Sequence, residues 1–265
     1  MRIIRKAVQI GNGAAVYVPR EYSGKEIVVL LPEGIEEIKK RVLSKLIDFM
    51  PNIIGVYLYG SYARKEEVKE SDIDVFVIVN EKDENIKNAL KDVDLRIAPI
   101  ESVRRTIKNY PLLIMPILKE AQTLLNPALL EELKNSKIDL KKFKWSFDEI
   151  RRTVKIIEEF VKLDEEDISS SHIYSLMMRA RVCSLIECLL ENKKFSNEIV
   201  KKRLLEKGFD KEDIEKFFYI YREIREDKEL KTKIRKKEIL RLVTFIKEYS
   251  ARLENETKKK IRKRN

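Results

Sequence analysis

Two apolar runs, IIGVYLY at 53–59 and VFVIV at 75–79, read as buried strands, and between them lies GSYARKEEVKESDID at 60–74. Strand side chains alternate between faces, so Asp72, Asp74, Phe76 and Ile78 share one side while Ile73, Val75, Val77 and Val79 share the other. Both carboxylates therefore point the same way, about 7 Å apart along the strand. Asp is depleted in strands, and two like charges this close repel unless something positive lies between them. The feature commits this region to a sheet with paired acids on one face, and a divalent cation is the simplest counter-charge.

A third strand, VDLRIAPI at 93–100, alternates Val93, Leu95 and Ile97 with Asp92, Asp94 and Arg96, so Asp94 can join the same polar face. Asp92 lies on that face too. Asp94 is favoured because the strand formers Val93 and Leu95 flank it. Three carboxylates on neighbouring strands suit magnesium, a hard ion that takes oxygen ligands together with substrate phosphates, and two such ions are a plausible load. Gly60 and Ser61 stand where a strand gives way to a helix. Free backbone amides and a hydroxyl there can hold phosphate oxygens, and Arg64, one turn on, can be a further phosphate contact. A phosphate grip beside an acidic metal site is the equipment for attack at a nucleotide phosphorus, with Asp94 as general base, ligand or both.

Around these strands the period changes several times. Residues 1–32 form a small β unit: RIIRKAVQI (2–10), the hairpin turn GNG (11–13), AAVYV (14–18) and EIVVLL (26–31). So short a sheet has no core of its own and needs a partner, either the rest of the chain or a second copy. Ile35, Ile38, Val42, Leu46 and Phe49 then mark a helix up to Pro51. Strands at 53–59, 73–79, 93–100 and a shorter one at 121–125, alternating with helices near 83–90 and 101–109, predict a compact α/β domain over 33–138. Beyond residue 140 the strand signals cease. Helical patterns at 147–163, 171–191, 195–207, 211–227 and 235–256 predict an all-α bundle over 141–265.

Composition narrows the setting. The chain has 265 residues with 43% hydrophobic content, enough for one sizeable core or two modest ones. Its opening MRIIRKAV lacks the apolar stretch of a signal peptide, and its longest apolar run, Tyr110 to Leu118, is about half a membrane span and holds Pro111 and Pro116. A cytoplasmic protein without membrane association is expected. Cys183 and Cys188 read as reduced core thiols. Charged residues reach 38%, rich in Lys and Glu with glutamine only at 9 and 122, a bias typical of heat-adapted proteins. The net charge of +11 is concentrated in the second half, where the terminal KKKIRKRN could meet a polyanion or an acidic partner.

GSYAR (60–64) followed by SDIDV (71–75) resembles the signature of the DNA polymerase β-type nucleotidyltransferase superfamily, closest to its minimal branch and similar also to the aminoglycoside nucleotidyltransferases. The resemblance spans about residues 35–135. It implies a mixed sheet with flanking helices, Gly60 and Ser61 on the triphosphate, Asp72 and Asp74 on magnesium, and Asp94 as third carboxylate. It further implies transfer of a nucleoside monophosphate, AMP from ATP foremost, to a hydroxyl of a protein, an RNA end or a small alcohol, with the basic second half favouring a macromolecule. Lys65 departs from the pattern, which has glycine there.

VQIGNGAAVYVP (8–19) with GKEIVV (24–29) resembles the swapped-hairpin AbrB or MazE fold, which implies a homodimer and permits DNA contact through residues 1–32. A dimeric DNA-binding regulator with a nucleotide-binding centre is the alternative function. The helical half loosely resembles bundles that accompany minimal nucleotidyltransferases, including the HEPN type. No histidine follows Arg179 and Arg181, so a ribonuclease site is not expected, and His172 and Tyr174 read as packing residues. Phe217, Phe218, Tyr219, Tyr221 and Trp145 also read as packing. Glu187, a carboxylate in an apolar helix, stands as an outside candidate for a base, because aminoglycoside-type enzymes recruit one from their bundle.

Overall fold

The computed structural model describes residues 8–27, 33–67, 71–163, 169–228, 230 and 234–264. It divides into two compact units, 1–34 and 35–265. In the first, β1 (Val8–Ile10) and β2 (Gly13–Ala15) form an antiparallel hairpin around the GNG turn, where Gly11 takes a left-handed φ of 55°. The second strand expected at 14–18 stops at Ala15, and a single 3₁₀ turn follows at Arg20–Tyr22. The start of the first expected strand and most of the third, at 28–31, lie outside the described residues.

The second unit opens with α1 (Ile35–Lys45), after which Pro51 sits in a 3₁₀ turn over Ile47–Asn52. Its sheet contains β3 (Ile53–Tyr59), β4 (Asp74–Val79), β5 (Asp94–Pro99) and β6 (Gln122–Leu125) in the order β5-β4-β3-β6. β4 and β5 run parallel while β3 is antiparallel to both β4 and β6, so the sheet is mixed. Between the strands lie α2 (Gly60–Arg64), α3 (Asn85–Ala89), α4 (Ile100–Asn109) and α5 (Pro111–Glu120), and α6 (Pro127–Lys134) follows β6.

The period-2 alternation of the strands splits the core in two. Val56, Leu58, Val75, Val77 and Val79 pack with Ile38 and Val42 of α1, with Leu46 just after it, and with Ile86 and Leu90. Tyr57, Tyr59, Phe76 and Ile78 face the other way, into a cluster with Val103, Ile107, Met115 and Leu118 of α4 and α5. That cluster continues without a break into the helical region. α7 (Lys144–Leu163), α8 (Ser170–Leu190), α9 (Asn197–Glu206), α10 (Lys211–Arg225) and α11 (Lys236–Arg264) bury Phe147, Ile150, Met177, Cys183, Ile220 and Ile246 in it. Both cysteines are buried free thiols, which burial holds above the ordinary thiol range.

Two helices were not expected. Pro111 suits the first turn of α5, where its missing N–H would be unpaired anyway, and the buried Ile114, Met115 and Leu118 offset the interruption at Pro116. The Asn-Pro pair read as a break is the start of α6: Asn126 caps it by accepting from the Leu129 amide at 3.1 Å, with Pro127 next. α11 also runs further than the apolar pattern, carrying the basic segment to Arg264 as helix, where cations complement the helix dipole. No described helix is long and apolar enough to cross a membrane.

Candidate active site

At the end of β3 the chain turns abruptly. Tyr59 is extended, and Gly60 adopts a left-handed φ of 75° before α2 begins. Only glycine fits: a Cβ on Gly60 would lie 2.6 Å from the Asp74 carboxyl carbon. The Gly60 amide donates to Glu120 Oε1 at 2.9 Å, and Arg64 Nη1 donates to Glu120 Oε2 at 2.7 Å. Arg64 Nε donates to Glu66 Oε2 at 2.9 Å. Burial opposes the charge of Arg64, yet these two carboxylates hold its pKa above the usual arginine range. The Ser61 hydroxyl has no hydrogen-bond partner among the described residues. α2 closes with Lys65 in the left-handed region (φ 58°, ψ 36°), its amide bonded to the carbonyls of Ser61 and Tyr62. This is the helix C-terminal position at which glycine is favoured, which accounts for the glycine of the family pattern and for how Lys65 stands in its place.

Asp74, first residue of β4, lies across from Tyr59 on β3 and in register with Asp94 on β5. In a parallel pair, residues in register point to the same face, so Asp74, Asp94 and Arg96 share the face of Tyr59 and Phe76. Burial and the neighbouring Asp94 push the Asp74 carboxyl up to about 6, while Arg225 and Arg64 pull the other way. Tyr59 completes the corner. It is 5% exposed, its buried hydroxyl meets no geometric hydrogen-bond partner among the described residues, and Arg96 lies over its ring at 5.8 Å. Burial raises its pKa to about 12.

Of the residues singled out by sequence, the structure gathers Gly60, Ser61, Arg64, Asp74 and Asp94 at the same end of the sheet. Asp72 is exposed, two residues ahead of the strand. Asp92 is engaged elsewhere, pairing with Lys45 at 2.7 Å and with Arg41, both on α1. Among the described residues, no group of three or more acidic, histidine or cysteine side chains comes close enough to hold a metal. The Asp74–Asp94 pair still fits magnesium, because that ion is usually held by one or two carboxylates completed by water and substrate phosphates.

Glu187 of α8 serves otherwise than as a base. It is 2% exposed and accepts from Arg203 at 2.9 and 3.0 Å, from Tyr249 at 2.6 Å and from Arg252 at 2.5 Å. Burial works against its charge, but these donors hold its pKa below the ordinary glutamate range, leaving a poor proton acceptor. Arg181 packs its guanidinium against the rings of Phe195 and Tyr221 at 4.9 and 5.1 Å, and Tyr221 stacks on Tyr174, so Tyr174 and Tyr221 pack as expected, as does the buried Phe217, whereas Trp145 and Tyr219, also expected to pack, are exposed. Sequence reasoning missed Glu120, Tyr59 and Arg225. Their only common signal is polarity at the edge of an apolar run, which does not reveal what each one meets.

Residues 40–128 match the family model for polymerase beta nucleotidyltransferases. This part of the chain is a nucleotidyltransferase domain of the polymerase β type. Among solved structures, the chain is similar to spectinomycin adenyltransferase AAD(9) from Enterococcus faecialis, crystallised with ATP and spectinomycin, at 16% identity and a TM-score of 0.42, over 84% of this chain and 100% of that one. It is also similar to a nucleotidyltransferase-like protein from Exiguobacterium sibiricum, at 12% identity and a TM-score of 0.36, over 81% and 74% of the two chains. No curated protein matches the sequence significantly.

Proposed function

We propose that the protein is a magnesium-dependent enzyme that transfers AMP from ATP to a hydroxyl of a macromolecular acceptor and releases pyrophosphate. The observation that carries this reading is the Asp74–Asp94 pair beside the glycine turn, with Asp74 held near 6. Magnesium bound there, singly or as a pair of ions, would neutralise the triphosphate and the leaving pyrophosphate. Asp74 and Asp94 hold it, and Asp72 is the candidate third carboxylate. The Ser61 hydroxyl binds a phosphate oxygen, while Arg64, already paired with Glu120 and Glu66, adds no net positive charge to the turn. Asp94, exposed at its strand end, takes the acceptor proton; the acceptor oxygen then bonds to the α-phosphorus as the bond to the β-phosphate oxygen breaks. The basic end of α11 favours an acidic or nucleic acceptor over a small alcohol.

The test is incubation with labelled nucleoside triphosphates, magnesium and a lysate of the source organism. Pyrophosphate release and label transfer are expected for the wild type, and neither for the Asp72→Asn, Asp74→Asn double variant. Equal release from both proteins would refute transfer at this site.

A second role rests on the N-terminal unit, where Val8, Ile10 and Tyr17 are 49%, 55% and 65% exposed. Apolar side chains left open on a two-stranded hairpin favour a covering partner. A second copy, interlocked through its own hairpin in the AbrB manner, would make the protein a dimer able to touch DNA. Light scattering on the full chain and on a chain lacking residues 1–34 tests the dimer, and binding to its own promoter at low salt tests DNA contact.

A further inference from the structure

One buried side chain holds the turn at Gly60 from behind. Glu120, the last residue of α5, is 7% exposed, and both of its oxygens are taken by the motif: Oε1 by the Gly60 amide and Oε2 by Arg64. Two residues on, Gln122 Nε2 donates to the Ala63 carbonyl at 2.8 Å. The α5–β6 corner therefore braces the short helix at its first amide, at a carbonyl of its last turn and at its arginine. The other side of Arg64 is closed by Glu66, which Asn197 of α9 reaches at 3.4 Å.

A buried carboxylate needs charged or hydrogen-bonding partners to offset its desolvation, and here both partners belong to one five-residue turn. The Gly60 amide is thus already spoken for, whereas the Ser61 hydroxyl has no hydrogen-bond partner among the described residues. Gly60 also abuts Asp74, so a shift of the turn would move the phosphate grip relative to the carboxylate pair.

We propose that Glu120 is the positioning residue of the nucleotide-binding turn. By holding the Gly60 amide and Arg64, it fixes where Ser61 stands against Asp74 and Asp94, while Gly60 contributes its lack of a side chain and not its N–H. This rests on the nucleotidyltransferase reading above.

The test uses the full chain with Mg·ATP and with Mg·tripolyphosphate as probes. Glu120→Gln keeps the volume and one acceptor but loses the charge, and Gln122→Ala removes the second brace without touching a buried charge. With a charge-assisted pair lost, Glu120→Gln is expected to weaken both probes by about tenfold or more, and Gln122→Ala by a smaller factor. In turnover the loss falls on KM for the nucleotide. A merely structural Glu120 would instead lower the unfolding temperature with probe affinities unchanged. Affinities within about twofold of wild type for both variants would overturn the proposal. Should Glu120→Gln fail to fold, Gln122→Ala decides alone: weakened binding supports the brace and unchanged binding refutes it. If the wild type binds neither probe, the nucleotidyltransferase reading itself falls, and with it this proposal. Binding by wild type with unchanged variants removes the proposal only.

Discussion

Asp74→Asn should make the protein more stable at neutral and alkaline pH while abolishing transfer. Burial and Asp94 hold the Asp74 carboxyl near 6, against 3.8 for an ordinary aspartate. That difference corresponds to roughly 3 kcal/mol between protonation states, and because Asp74 is only partly buried, solvent screening reduces the effect on stability to about 1–2 kcal/mol. The sign follows from linkage. A carboxyl that titrates higher when folded favours the native state while protonated, so this contribution is complete below pH 3.8 and is lost as the pH rises through about 6. Wild type and Asp74→Asn should therefore differ little below about pH 4, diverge between about pH 4 and 6 and stay apart above it, the variant melting roughly 2–8 °C higher near pH 8. Thermal unfolding followed by circular dichroism across this range gives the curve. Millimolar magnesium should raise the wild-type midpoint and leave the variant's unchanged, and Asp94→Asn should give a smaller gain, since it removes the neighbouring charge but leaves Asp74 buried. A variant no more stable than wild type near pH 8, or a difference independent of pH, would refute the idea that burial and the neighbouring Asp94 disfavour the ionised Asp74 carboxylate.

Glu187→Gln should destabilise the protein by about 3 kcal/mol in urea unfolding, because it strips the charge from a buried carboxylate that two arginines and Tyr249 share, while transfer per folded molecule stays unchanged. A lost turnover without lost stability would restore Glu187 as a base. Asp92→Asn removes partly exposed pairs to Arg41 and Lys45, so at most about 1 kcal/mol is expected, with pyrophosphate release unaffected. Release abolished by Asp92→Asn but not by Asp94→Asn would move the third carboxylate to residue 92. Lys65→Gly should stabilise by about 0.5–1 kcal/mol in the same urea assay, since glycine occupies the left-handed region without a Cβ penalty.

The sheet was legible because its strands declare themselves locally: β3 and β4 are near-continuous apolar runs, β5 alternates apolar with polar residues, and their order leaves few other pairings. The prolines misled in a consistent way. Pro111 and Pro127 both open helices, and a sequence shows the proline without showing whether its N–H position is the first of a helix or an interruption in one. β2 fell short of Val18 for a different reason: alternation favours a strand, but a ladder also needs a neighbour, and among the described residues the hairpin has only its own first strand.

In the candidate site the division is between side chains that face solvent and those that face protein. Gly60, Ser61, Asp74 and Asp94 could be singled out because glycine beside an apolar run and acids within a strand are locally anomalous. Glu120 is ordinary in sequence, a glutamate at the end of a helix, and becomes informative only when the fold brings it against a residue sixty positions earlier. The motif thus names the groups that surround a phosphate, but not which of them the protein has already satisfied. With the Gly60 amide and Arg64 both bound to Glu120, the turn behaves as a braced shelf, and nucleotide affinity should depend on residues 120 and 122 as much as on the glycine and serine that mark it.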